Sequence, residues 1–133
     1  MVAKIFVYGS LRRGFDTALE RLLGNGVLYV DNGFVYGELY DSGLYPALVL
    51  SRADGRKIVG EIYQLVDVVA ALSVLDDYEC CSQNYCEPHE YRRELATVCT
   101  TVASHQCWIY VYNLEIKSDF NNIFCGDYKQ YKA

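Results

Sequence analysis

The sequence predicts an α+β fold dominated by strands, and three observations carry that reading. Short runs of β-branched and aromatic residues recur along the chain, divided by glycine and Asx turn signals. Thirteen tyrosines in 133 residues supply the half-buried aromatic surface that pleated strands accommodate. One segment, residues 68–78, has an Ala, Leu and Ser content that favours helix over strand. A hydrophobic share of 52% in a chain of 133 residues fits one folded domain over residues 1–133, able to bury a core without disulfide or metal staples.

Residues 4–8 read as the first strand, stopping at Gly9-Ser10, so a loop opens at a strand end, where sites are commonly built. After Gly14, Thr17 and Glu20 stand at capping-box spacing. Leu19, Leu22 and Leu23 form an apolar stripe, and Gly24 supplies a stop, which together predict a short helix. Residues 26–29, 33–40, 47–50 and 57–65 read as strands, divided by turn signals at Asp31-Asn32, Asp41-Ser42-Gly43 and Asp54-Gly55. Asp67 is a fair N-cap for the helix over 68–78. Residues 91–101 and 106–112 read as two more strands, and the tail beyond them as irregular.

Charge and cysteine usage exclude several function classes. A net charge of -5 argues against nucleic acid, because affinity for a phosphate backbone comes largely from clustered Lys and Arg. The basic doublets Arg12-Arg13, Arg56-Lys57 and Arg92-Arg93 read as solvated loops or strand ends. The apolar run at the N-terminus is too short for a secretory core or a membrane helix, so no membrane partner is expected. Six cysteines without a signal peptide point to free thiols in a reducing cytoplasm. Cys80-Cys81, Cys86 and His89 lack the CxxC pairs of zinc sites, so no metal is expected. A nucleophilic pair of Cys80 with His89 or His105 has no supporting context, and both histidines read as loop residues.

Two segments remain as candidates for chemistry. At about 100° per residue, Val68, Leu72, Leu75 and Glu79 fall on one helix face, whereas Asp76 and Asp77 fall off it and read as solvated. A carboxylate pressed toward a core costs several kcal/mol when ionised, on the order of the penalty for any unpartnered buried charge, so its pKa rises toward neutrality, as a general base requires. If the helix ends before Glu79, the same residue is a surface acid or a structural acceptor, and periodicity alone leaves both readings open. The second candidate is the strand end Tyr8-Gly9-Ser10-Leu11-Arg12-Arg13-Gly14, where glycine lets a ligand approach backbone N–H groups. Gly9 and Gly14 have the separation of P-loop glycines, but Phe15 and Asp16 stand where phosphate binding needs Lys and Ser or Thr, which excludes a nucleoside triphosphatase. What remains is a grip for a small anion such as an α-carboxylate, or a plain turn.

The same loop, followed in order by Gly37-Glu38-Leu39-Tyr40 with Tyr45-Pro46-Ala47, Val59-Gly60-Glu61-Ile62-Tyr63, Leu75-Asp76-Asp77-Tyr78-Glu79, Tyr91-Arg92-Arg93 and Trp108-Ile109-Tyr110, resembles the γ-glutamyl cyclotransferase superfamily. The resemblance is to its small AIG2-like branch, which includes γ-glutamylamine cyclotransferase, and it spans roughly residues 4–128. It implies a small mixed barrel of about six strands with two or so flanking helices. It also implies Glu79 as the acid/base, Tyr8, Gly9, Ser10 and Leu11 as the substrate loop, and Tyr45, Pro46 and Tyr110 as pocket lining. The implied reaction is cleavage of a γ-glutamyl amide by its own α-amine to give 5-oxoproline, with a small-molecule γ-glutamyl substrate and neither cofactor nor metal. The connection over residues 80–90 is longer than the usual one, so a relative's substrate is not transferable. A non-catalytic protein binding a γ-glutamyl or carboxylate ligand on the same fold is the alternative, and a tyrosine-rich interaction module is a weaker third. Oligomeric state is not encoded in these motifs.

Overall fold

A first strand in which every residue after the lysine is apolar has to be covered on both faces. In β1 (Lys4–Val7) the side chains alternate between two cores. Phe6 joins Val35, Leu39, Ile58, Ile62 and Ile109, whereas Ile5 and Val7 join Leu19, Tyr63, Leu72 and Leu75. The computed structural model, which describes residues 1–51 and 55–133, shows how one sheet provides both.

The other strands are β2 (Val27–Asp41), β3 (Pro46–Leu50), β4 (Arg56–Leu65), β5 (Tyr91–Cys99), β6 (Ser104–Tyr112) and the short β7 (Asn121–Asn122). They form a seven-stranded sheet in the order β3-β2-β4-β1-β6-β5, with β7 on β2. β2 also reaches β5, where Phe34 lies opposite Cys99, and this pairing closes β2-β4-β1-β6-β5 into a barrel. Closure depends on Gly33, since a Cβ there would stand 2.8 Å from Val98 Cγ1 and 3.0 Å from the Cys99 carbonyl oxygen. The barrel is mixed because β1 runs parallel to β6 and antiparallel to β4. The Phe6 cluster fills its lumen, and the Ile5 cluster lies outside under α1 (Leu19–Leu23) and α2 (Val68–Tyr78).

The α+β, strand-rich expectation is met, with differences in detail. The two strands expected at 26–29 and 33–40 are one strand, because β4 is long enough to pair with both halves. The Asp31-Asn32 signal goes into a bulge instead: Tyr29 pairs with Tyr63 and Asp31 with Ile62, leaving Val30 as the extra residue. The capping box does not form, since Ala18 occupies the N-cap of α1 while Thr17 Oγ1 donates to the Ser10 carbonyl. β5 stops at Cys99, before the residues 100 and 101 that the sequence reading included, because Thr100 turns the chain by bonding to Ala103. The tail is not irregular. It adds β7 and α3 (Tyr128–Lys132), whose N-cap Asp127 accepts from the Gln130 N–H, and it sends Ile123 and Tyr128 into the lumen core. Five residues of helix are too few for periodicity to reveal. Of the expected Asp54-Gly55 turn, Asp54 lies outside the described residues.

In the Arg12-Arg13 doublet, Arg12 departs from its solvated reading, whereas Arg13 is exposed. Arg12 is only 8% exposed and its Nε donates to Glu61, itself 4% exposed, at 3.1 Å. Glu61 points outward from β4, where it also accepts from the Arg13 backbone N–H at 2.9 Å and the Tyr63 hydroxyl at 3.0 Å. Arg12 Nη1 continues to Asp127 at 2.9 Å. The loop after β1 is thereby tied to β4 and to α3 at once. Arg12→Ala leaves Glu61 buried without its counter-charge and is expected to lower stability by about 3–5 kcal/mol, read as a shifted midpoint in urea unfolding.

Candidate active site

The site is built where the C-terminal end of α2 meets the C-terminal end of β1. α2 starts at Asp67, whose carboxylate accepts from the Ala70 N–H at 3.2 Å, and it packs Ala71, Leu72 and Leu75 into the outer core. It ends at Tyr78, yet Glu79 keeps a helical bond from its N–H to the Leu75 carbonyl at 2.8 Å. Glu79 is therefore the C-cap and still follows the apolar face that the wheel identified. Beyond it, the Cys80 N–H bonds to the Asp77 carbonyl and the Cys81 N–H to the Asp76 carbonyl, a Schellman motif. The left-handed position falls on Cys80, at φ 56°, where glycine is usual.

Asp76 is not solvated as its place on the wheel implied. It receives Arg93 Nε at 2.8 Å and Nη2 at 3.2 Å, together with the Tyr110 hydroxyl at 2.6 Å. These bonds fasten the last turn of α2 to β5 and β6. Asp77 is exposed and accepts from Ser82 and Asn84 in the following loop.

Facing α2, the loop after β1 buries the side chains of Tyr8, Leu11 and Arg12. Tyr8 buries its ring in the lumen core and Leu11 its side chain in the outer one. Gly9 lies so close to Pro46 that a Cβ would stand 2.6 Å from Pro46 Cγ. Among the described residues, the N–H groups of Gly9, Ser10 and Leu11 donate to no acceptor. Between loop and helix lies a cavity of about 270 Å³, suited to an amino-acid derivative. The structure brings Tyr8, Gly9, Ser10, Leu11, Tyr45, Pro46, Tyr110 and Glu79 together around it. It adds Tyr78, Cys80, Glu90 and Tyr91, which the sequence reading did not assign to the pocket. Tyr91 stood in a matched segment and was within reach of that reading. Glu90 carried no signal, since only the folding back of residues 80–90 brings it near Glu79.

Electrostatics separate the groups in the cavity. Burial, helped by the nearby Glu90 carboxylate, pushes the Glu79 carboxyl up to about 7, and among the described residues no hydrogen bond to its charged form opposes the shift. The side chain is enclosed by protein yet open on its cavity side, so it is dehydrated without being sealed. Burial also pushes the phenols of Tyr8, Tyr91 and Tyr110 upward, so they remain donors. Each is committed: Tyr8 to the Tyr110 carbonyl at 2.6 Å, Tyr91 to the Pro46 carbonyl at 2.7 Å, and Tyr110 to Asp76. Among the described residues no three His, Cys, Asp or Glu side chains converge to hold a metal ion. None of the six cysteines forms a disulfide.

A small mixed barrel thus opens, at one strand end, into a pocket that sets the Glu79 carboxyl opposite the backbone of the Tyr8-Gly9-Ser10-Leu11 loop. The chain belongs to the family described as Gamma-glutamyl cyclotransferase, AIG2-like, whose profile matches residues 5–130. It is 30% identical over 122 residues to a Drosophila melanogaster protein provisionally named a gamma-glutamylcyclotransferase, covering 84% of this chain and 70% of that one. A similarly named protein of Halalkalibacterium halodurans is 41% identical over 80 residues, 59% of this chain and 65% of the relative. Among solved structures, the AIG2-like protein of Mus musculus superposes with a TM-score of 0.66 at 26% identity, covering 88% of this chain and 89% of that one. YkqA of Bacillus subtilis superposes with a TM-score of 0.74 at 26% identity over 99% of this chain, which spans 41% of that longer protein. Among the described residues no helix is long and apolar enough to cross a membrane.

Two stability effects follow from this geometry. The unfolded Glu79 ionises near its ordinary value of 4.5, whereas the folded carboxyl holds its proton up to about 7, so rising pH across that window favours the unfolded chain. Glu79→Gln removes the penalty. It is expected to be about 1–3 kcal/mol more stable than the native chain at pH 8, with the gap closing toward pH 4.5, as read by urea unfolding at both ends. Cys80→Gly relieves the left-handed strain at C′ and is expected to add about 0.5–1 kcal/mol, net of the glycine's unfolded-state entropy, in the same assay.

Proposed function

We propose that the protein cleaves a γ-glutamyl amide by intramolecular cyclotransfer, releasing 5-oxoproline and an amine, with Glu79 as the general acid/base. The observation that carries this reading is the Glu79 carboxyl, drawn to about 7 by burial and set across a small cavity from the Tyr8-Gly9-Ser10-Leu11 backbone. Family membership supports the reaction class, and the geometry supports the roles.

In the proposed reaction the substrate's α-ammonium gives a proton to ionised Glu79, and the freed amine attacks the γ-carbonyl carbon. The new C–N bond closes a five-membered lactam. The amide C–N bond then breaks as Glu79 returns that proton to the departing nitrogen and relays a second one, which the ring nitrogen sheds on becoming a lactam N–H, so that 5-oxoproline and a protonated amine leave and no water is consumed. A carboxyl with a pKa near the working pH serves both transfers, an effect typically worth about 10²–10⁴ in rate. Nucleophile and electrophile share one molecule, so the enzyme's remaining task is to hold the extended chain in its ring-closing conformer. Among the described residues no Lys, Arg or His lines the cavity, and the N–H groups of Gly9, Ser10 and Leu11 are the donors for the substrate carboxylate or the developing oxyanion. Tyr45, Pro46 and Tyr110 complete the walls. We place this chemistry in the cytoplasm, where six free thiols persist.

A panel of γ-glutamyl amino acids, γ-glutamyl amines and glutathione, followed by detection of 5-oxoproline, tests the reading. Turnover of at least one compound is expected, with kcat/KM rising as pH passes about 7 because the base must be ionised. Glu79→Gln is expected to lose about 10²–10⁴ in kcat while remaining folded. Full activity in that variant would remove Glu79 from the chemistry. Binding without product across the panel would instead assign a ligand-binding protein.

A further inference from the structure

Fourteen of the described residues line the cavity, and two of them are acids while none is a base. Glu79 lies inside and Glu90 at the exposed rim. Glu90 pairs with no basic side chain among the described residues. Its backbone is nevertheless fixed. The Asn113 N–H donates to the Glu90 carbonyl at 2.7 Å, Asn113 Nδ2 donates to the His89 carbonyl at 3.0 Å, and β5 begins at the next residue. The rim is shared with the rings of Tyr45, 52% exposed, and Tyr78, 39% exposed. An unpaired carboxylate beside accessible π faces attracts an alkylammonium and repels an anion.

We infer that Glu90 is a specificity-determining residue, favouring γ-glutamyl amides whose leaving amine carries a second positive charge over those whose leaving group carries a carboxylate. This rests on the cyclotransfer reading for the reaction itself. With the γ-glutamyl portion held between Glu79 and the Gly9 loop, the departing amine extends toward the rim and meets Glu90 with the two tyrosines. The long connection over residues 80–90, which ends on this glutamate, then has a chemical purpose: it delivers a negative charge to the leaving-group side of the site. The charge of Glu90 reaches across to Glu79, which places both carboxylates in one electrostatic field.

The test uses three γ-glutamyl amides of matched length, made from a short alkane diamine, an alkylamine and an ω-amino acid, so that the far end is cationic, neutral or anionic. kcat/KM for 5-oxoproline release is measured at pH 8 for the native chain and for Glu90→Gln. The native order is cation over neutral over anion, with about a ten- to hundredfold span at low salt that narrows as salt rises. Glu90→Gln shrinks the cation-to-anion ratio about tenfold. Its effect on Glu79 ionisation multiplies all three rates alike and cancels from that ratio, so a merely structural or pKa-tuning role leaves the ratio unmoved. An unchanged ratio with 5-oxoproline still formed overturns the inference and leaves the cyclotransfer reading standing. No 5-oxoproline from any of the three overturns both, unless calorimetry with Glu79→Gln shows the same charge order in binding, in which case the selectivity stands and only the reaction falls.

Discussion

The ion pair between Arg12 and Glu61 sets the path of the loop on which the cavity depends. Glu61 projects from the outer face of β4 into a region walled by Tyr63 and the helices, where an ionised carboxylate is tolerable only if its oxygens are occupied. They are, by Arg12, by the Arg13 N–H and by the Tyr63 hydroxyl. Upstream, the same strand fixes Val7, which stands opposite Glu61 in the ladder. The four residues from Tyr8 to Leu11 are thus clamped at both ends by one residue of β4. Their course is determined without using the N–H groups of Gly9, Ser10 and Leu11, which a loop held by its own main-chain bonds would have consumed. A buried ion pair is weak evidence of stability, but here it leaves donors free for a ligand.

The opposite wall is secured by a different device. Asp76 takes two bonds from Arg93 and one from Tyr110, and Arg93 also lies over the Trp108 ring at 4.5 Å, so the end of α2 is fastened to β5 and β6 by side chains. The Schellman motif then sets the backbone of Glu79 one turn on. Two local costs sit side by side there. A cysteine holds a left-handed conformation, and a glutamate is dehydrated and, among the described residues, left without a hydrogen-bond donor. Neither serves folding, and both shape the cavity wall, which is the pattern expected where stability has been traded for function.

Legibility in the sequence followed the range of the interactions concerned. α2 was readable to the residue because its cap and its apolar face are local, and the wheel put Glu79 on that face, although it could not say whether the helix reached so far. The resemblance added the loop residues and the wall residues Tyr45, Pro46 and Tyr110, which the fold gathers around one cavity. What failed depended on partners distant in sequence. Asp76 looked solvated because Arg93 and Tyr110 are 17 and 34 residues away, and Arg12 looked solvated because Glu61 is 49 away. The Asp31-Asn32 turn yielded to pairing with β4, a tertiary override of a local signal. Glu90 was invisible for the same reason: an acid in a polar loop has no periodicity, and only the closing of the chain puts it beside Glu79.

The two walls meet on neighbouring strands of the barrel, and this bears on what the site can do. The loop hangs from β1 and β4, and the glutamate is braced against β5 and β6. β1 and β6 are hydrogen-bonded neighbours with lumen residues packed behind them, so the distance between donors and base is set by the barrel core and not by loop flexibility. A cyclisation that depends on folding a flexible γ-glutamyl chain into a ring needs that rigidity more than it needs a strong base. A carboxyl near 7 is matched to this requirement. It is basic enough to take an ammonium proton when the amine is poised to attack at once, and acidic enough to surrender it to the leaving nitrogen. In the proposed reaction, therefore, the modest chemistry of Glu79 suffices because the barrel has already supplied the geometry.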